Sequence, residues 1–119
     1  MTTDSTSAAH DPAWEVTPRD VQCMLQRREE FLLLDCRRPD ETDVQVIQGC
    51  TIVPMQNLAL YMEELRAWES KPIVVYCRSG SRSLRVTSLL RQMGFENVKS
   101  MAGGINRWSA DIDPQIKPY

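Results

Sequence analysis

The stretch Ile73-Val74-Val75-Tyr76 is apolar at every position, and so is the run over residues 31–34 that ends at Asp35. A strand with one wet face alternates apolar and polar residues, so an unbroken apolar run of this length suits a strand covered on both sides. Thr51-Ile52-Val53, stopped by Pro54, and the stretch from Val98 to Met101 read as further strands. Between them lie segments with helical spacing. Thr17-Pro18-Arg19-Asp20 has a capping threonine, a proline at the first helical position and an acid in the first turn, and Val21, Met24 and Leu25 follow as an apolar face. Leu58, Tyr61, Met62 and Leu65 predict a helix over about 57–68. Val86, Leu89, Leu90 and Met93 predict another, ended by Gly94, and Gly103-Gly104 permits a tight turn into a short helix carrying Ile105 and Trp108. Strands alternating with helices over one short chain imply a parallel α/β sheet with helices on both faces.

At 119 residues the chain has room for one core and not for two ordinary domains. Residues 1–12 read as a flexible polar tail with neither the basic start nor the apolar centre of a secretory signal, and residues 13–119 as the domain. No apolar run approaches the roughly 20 residues of a membrane-spanning helix, and a net charge of -2 gives no basic excess for nucleic acid or an anionic membrane. A cytoplasmic location, with no nucleic-acid or membrane partner, is the expectation. The four cysteines, Cys23, Cys36, Cys50 and Cys77, form no C-x-x-C pair, and the one histidine, His10, falls in the tail. That pattern argues against a zinc site, and reduced thiols are expected.

Chemistry concentrates where the strand over residues 73–76 ends. Cys77 opens the loop Arg78-Ser79-Gly80-Ser81-Arg82, which leads into a helix. Such a junction aims backbone N–H groups and the positive end of the helix dipole at the loop. Beside Arg78 and Arg82 the thiol is expected to ionise readily, and the thiolate is the reactive form. Positive charge at a helix N-terminus opposes the dipole, which points to an anion held between the two. Without a neighbouring histidine, protease-type catalysis is excluded. A lone thiolate in a cationic nest suits an anionic substrate and little proton transfer, as in sulfane sulfur transfer or phosphoryl and arsenate chemistry. Parallel geometry also brings Asp35-Cys36-Arg37-Arg38 to the same sheet edge. Arg37 is therefore either a neighbour of the Cys77 pocket or a structural partner of Asp35 or Glu41, with Arg38 facing solvent.

The motifs in this order resemble the rhodanese sulfurtransferases of the single-domain type. CRSGSR is similar to the family's six-residue loop, DCRRPDE to its D-V-R-x-x-x-E segment, Gly49-Cys50 through Pro54 to G-A-x-x-[IV]-P, and MAGGINRW to L-x-G-G-x-x-x-W. The resemblance implies a five-stranded, mostly parallel sheet flanked by helices, a persulfide carried on Cys77, and anion contacts from Arg78, Ser79, Gly80, Ser81, Arg82 and Arg37. It implies no metal or organic cofactor, a small anionic donor such as thiosulfate, and a thiol or cyanide acceptor. Phosphatases and arsenate reductases of this fold resemble it too, but place five residues between cysteine and arginine; here four separate Cys77 from Arg82. Val46 stands where many relatives have histidine, and Cys36 and Cys50 stand where valine and alanine are usual. Cys36 is either core filler or a thiol that resolves a persulfide. The closing DPQIKPY, residues 113–119, is similar to the ends of rhodanese domains fused to adenylating enzymes, which implies a sulfur-carrier or desulfurase protein as partner, and a carrier or docking module as the alternative role.

Overall fold

The computed structural model describes residues 11–119; the tail expected over residues 1–12 lies outside them except for Asp11 and Pro12, and His10 lies outside altogether. Asp11 accepts backbone bonds from Trp14 and Glu15 in a turn that delivers a two-residue strand, β1 (Glu15–Val16), a strand too short for periodicity to reveal. Helix α1 (Pro18–Gln26) starts as its residues dictate. The Thr17 hydroxyl accepts from the Asp20 N–H, and the Asp20 carboxylate accepts from the Thr17 N–H, a reciprocal cap.

Four further strands follow, β2 (Leu32–Asp35), β3 (Thr51–Ile52), β4 (Ile73–Tyr76) and β5 (Val98–Met101), in the sheet order β1-β5-β4-β2-β3. Every pairing is parallel. The short helix α2 (Pro39–Thr42) follows β2, α4 (Ser81–Gln92) follows β4, and α5 (Gly104–Asp111) follows β5. The predicted helix over 57–68 is broken into a 3₁₀ segment Met55–Tyr61, one α-turn α3 (Met62–Leu65) and a second 3₁₀ segment Arg66–Trp68. Leu58 and Leu65 are nevertheless buried as the pattern requires. No helix among the described residues is long and apolar enough to cross a membrane.

The unbroken apolar runs are explained by two cores, one on each face of the sheet. Strand alternation sends Leu32, Leu34, Ile73 and Val75 to a core closed by Leu58, Leu65, Val86 and Leu90. It sends Leu33, Val74 and Tyr76 to a core closed by Val21, Ile105 and Trp108. Helix α4 turns differently from its apolar pattern: the buried stripe is Ser83, Val86, Thr87 and Leu90, while Leu89 and Met93 are 40% and 42% exposed. Two hydroxyl residues thus occupy positions that would otherwise be apolar.

Leu34 is fully buried in the centre of the sheet, whereas Leu60 is 77% exposed. Leu34→Ala is expected to cost about 2–5 kcal/mol in urea unfolding, and Leu60→Ala less than about 0.5 kcal/mol.

Candidate active site

Strand β4 ends at Tyr76, and the following residue continues its alternation, so the Cys77 side chain enters the same face as Val75 and is only 1% exposed. The loop then bends back over it. Gly80 adopts φ +113°, a conformation that costs glycine little and other residues much. That turn points the Gly80 N–H at Cys77 Sγ, 3.1 Å away, and the Ser83 N–H donates to the same sulfur at 3.4 Å. Gly80 offers no side chain to cap α4. The sulfur of Cys77 takes over as acceptor for the first turn, where helix N–H groups lack partners.

The Ser83 hydroxyl lies 3.4 Å from the same sulfur and 2.7 Å from the Ser100 hydroxyl, both serines being fully buried. The same hydroxyl is 3.1 Å from the Gly80 carbonyl, so its single proton has two acceptors, that carbonyl and the ionised sulfur, with the Ser100 hydroxyl as its further partner. The neighbouring Cys36 thiol, the Ser83 hydroxyl and the Ser83 and Gly80 N–H groups lower the Cys77 pKa from 9.0 to about 4, against the opposing effect of burial. The anion is therefore held mainly by hydrogen bonds and not by the flanking arginines.

The reason is visible in where the guanidinium groups go. Arg82 forms a bidentate pair with Glu41, at 2.6 and 2.9 Å. Glu41 also accepts from the Arg38 N–H at 3.0 Å and from the Tyr119 hydroxyl at 2.7 Å, and its carboxyl is held well below the usual carboxylate range, chiefly by Arg82. Arg82 still feels the charge of Cys77, which helps to raise its own pKa. Arg78 is exposed, with its guanidinium 4.7 Å from the centre of the Tyr119 ring. Ser79 and Ser81 face solvent.

Arg37 is not in the sulfur cradle. Its guanidinium is 1% exposed and is taken up by Asp35, by the Gln45 carbonyl at 2.5 Å and by the Tyr119 hydroxyl at 2.7 Å. Parity explains this: Asp35 and Arg37 leave β2 on the Tyr76 face, and Cys36 leaves it on the Cys77 face. Arg37 instead borders a separate cavity of about 340 Å³ with Arg38, Glu41, Ile105 and Tyr119, and Cys77 is not among its walls. Arg38, expected at the surface, pairs there with Asp40 at 3.1 Å.

Three supports were not singled out as functional from the residue pattern. Ser83 could have been found by counting back from buried Leu90 at helical spacing, through Thr87 and Val86. Ser100 sits at an inward position of β5, where a serine is unexpected. Gly104 is the third: a Cβ there would lie 2.4 Å from the Arg78 carbonyl oxygen and 2.5 Å from that of Cys77. The first N–H groups of α5 instead meet those carbonyls, Ile105 donating to Cys77 at 2.9 Å and Asn106 to Arg78 at 3.1 Å. Tied outward, the loop carbonyls leave its N–H groups free to turn in on the sulfur.

A six-residue amide loop around a buried thiolate, at the carboxyl end of a parallel strand, invites comparison with known proteins. The model of the rhodanese-like domain matches residues 17–111. The chain belongs to the rhodanese-like domain family. It is 31% identical to a sulfurtransferase of Allochromatium vinosum, covering 87% of this chain and 95% of that protein. It is 33% identical to the maize adenylyltransferase and sulfurtransferase MOCS3-2 over 87% of this chain, which spans only 23% of the maize protein. The thiosulfate sulfurtransferase structure from Pseudomonas aeruginosa superposes with a TM-score of 0.75 at 29% identity, over 82% of this chain and 19% of that one. The five-stranded parallel α/β architecture is thus that of rhodanese-like proteins, and the chain is a member of a sulfurtransferase family.

Alkylation of the native thiol tests the cradle. Ionisation creates the nucleophile, so the rate with uncharged iodoacetamide, mapped to Cys77, is expected to stay level across neutral pH and fall as pH drops through about 4, not through 9.0. Ser83→Ala removes a donor to the anion, so its midpoint moves upward.

Proposed function

We propose that this chain transfers sulfane sulfur from thiosulfate, or from a persulfide donor, to a thiol or cyanide through a persulfide on Cys77. The observation that carries this reading is the pair of backbone N–H groups, Gly80 and Ser83, converging on a thiolate at 3.1 and 3.4 Å. The thiolate attacks the outer sulfur of thiosulfate, the donor S–S bond breaks, and sulfite leaves with the electron pair. Loop amides stabilise the negative outer sulfur of the resulting persulfide. Cyanide then takes that sulfur as thiocyanate, and the electron pair of the broken bond returns to Cys77. No proton changes hands in either half, which agrees with a site where, among the described residues, no histidine stands beside the thiol. Arg78 supplies exposed positive charge for the approaching anion, and Arg82, braced by Glu41, adds a fixed charge beside the loop.

A cytoplasmic setting and reduced thiols belong to the same reading; the four cysteines are unpaired. The likeness to proteins named adenylyltransferase and sulfurtransferase favours a second role, a domain that accepts sulfur from a desulfurase and passes it to a sulfur-carrier protein. Intact mass separates the two. An enzyme of the first kind gains one sulfur atom from thiosulfate, and a carrier of the second kind gains it from a desulfurase with cysteine but not from thiosulfate.

Cys77→Ser protein that remains folded is expected to lose thiosulfate-to-cyanide transfer altogether, measured as thiocyanate. Cys50→Ser, altered in the opposite core, is expected to keep it. Full activity in the Cys77 variant would overturn the reading.

A further inference from the structure

Cys36 is a buried nucleophile that the transfer cycle leaves unused. Strands β2 and β4 pair in parallel with Asp35 opposite Tyr76, and the Cys36 N–H donates to the Tyr76 carbonyl at 3.1 Å. One step further along both strands, Cys36 comes level with Cys77. Alternation turns both side chains to one face, where each is 1% exposed within the same apolar cluster as Leu34, Val75 and Val86. Neighbouring strands run about 4.8 Å apart, inside the roughly 4.4–6.8 Å between Cα atoms that a disulfide spans. The other two thiols do not compete, Cys23 being exposed on α1 and Cys50 packed against the opposite core.

Resting on the persulfide reading above, we propose that Cys36 is a resolving thiol that attacks the inner sulfur of the Cys77 persulfide, closes a Cys36–Cys77 disulfide and expels the outer sulfur as hydrosulfide. The bond between Cys77 Sγ and the outer sulfur breaks, and its electron pair leaves with the outer sulfur. That sulfur also takes the Cys36 proton and departs as HS⁻. The Cys36 sulfur is oxidised and the outer sulfur is reduced, while the Cys77 sulfur exchanges one S–S bond for another, so the step needs no external oxidant. A small dithiol reductant returns the pair to its starting state.

Placement selects the inner sulfur. Cys36 lies in the core behind Cys77, and the outer sulfur of a persulfide extends away from that core toward the loop amides. Timing follows from charge. While Cys77 is an empty thiolate, the adjacent anion and burial oppose ionisation of Cys36. Loading moves the negative charge one atom outward and leaves the inner sulfur neutral, with a leaving group that accepts a proton. A fast acceptor such as cyanide intercepts the outer sulfur first. Without one, the chain releases hydrosulfide by itself, an activity distinct from transfer.

The test uses the folded chain loaded in the cold with inorganic polysulfide, then desalted, with thiosulfate loading as a parallel arm and no acceptor present. Intact mass, peptide mapping and a hydrosulfide assay follow the product. The wild type is expected to release one hydrosulfide per chain and end as a Cys36–Cys77 disulfide. Cys36→Ser, which keeps a donor beside the thiolate, and Cys36→Val, which fills the same apolar site, are expected to hold the added sulfur at least about tenfold longer. A wild type that keeps its persulfide as long as both variants, or a disulfide to another cysteine, overturns the inference and leaves the transfer reading intact. Resolution after polysulfide but no loading from thiosulfate supports the inference and removes thiosulfate as donor. No sulfur on Cys77 in either arm overturns both.

Discussion

A negative sulfur at the head of α4 satisfies two needs at once. The helix begins at a glycine that supplies no capping side chain, so the first-turn N–H of Ser83 and the loop N–H of Gly80 would otherwise face a dry interior. The thiolate, equally, is a buried charge that would be expensive without donors. Each covers the deficit of the other, and the depressed pKa of Cys77 is the thermodynamic expression of that match. The geometry that completes the helix also keeps the thiol ionised. The backing of this arrangement is equally specific. Because α5 begins against the Cys77 and Arg78 carbonyls, with no room for a Cβ at Gly104, the loop is pinned from outside and its amides cannot turn away.

The arginines do something different from what a basic loop first implies. Burying a guanidinium requires a partner, and each one near the site has found a carboxylate or an aromatic ring. Arg37 is held by Asp35, Arg82 by Glu41, and Arg78 lies over Tyr119, while the Tyr119 hydroxyl accepts from Arg37 and donates to Glu41. These contacts join residues from the end of β2, the head of α4 and the segment after α5 into one polar layer. Paired charges contribute a weak field at the sulfur but a rigid frame around it. Hydrogen bonds, which act over a shorter range, then decide the protonation state.

Much of this was legible before any coordinates, for reasons that differ by element. The strands β2 and β4 can be read because strands covered on both faces are apolar almost throughout, Asp35 at the end of β2 excepted, and the start of α1 because its cap is entirely local. Strand β1 has two residues, too few for any period. The segment around Leu58 kept its burial but not its helix type, since 3₁₀ and α turns place residues three and four apart on nearly the same side. The buried face of α4 differs from its apolar pattern because Leu89 and Met93 outweigh Ser83 and Thr87 on hydropathy. In the folded chain the hydroxyl of Ser83 is wanted by a sulfur six residues earlier and by Ser100 on another strand. The role of Tyr119 is a contact across 82 positions to Arg37, and nothing local announces it.

The choice between Arg37 and Cys36 shows how one residue of parity sorts the chemistry of the sheet edge. At the carboxyl ends of β2 and β4, alternation separates Asp35, Arg37 and Tyr76 from Cys36 and Cys77. At these two strand ends the Asp35–Arg37 ion pair lies on one face and the Cys36 and Cys77 thiols on the other, with the sheet between them. A nucleophile on the charged face would compete with Asp35 for Arg37, and a guanidinium on the sulfur face would have no carboxylate to balance it among Leu34, Val75 and Val86. The segregation therefore follows from the cost of burying each group in the wrong core. Cys36 fits the sulfur face because a thiol is small and apolar enough to pack like valine, yet still carries a proton and a lone pair that valine lacks. That added capacity sits in the same buried cluster as Cys77.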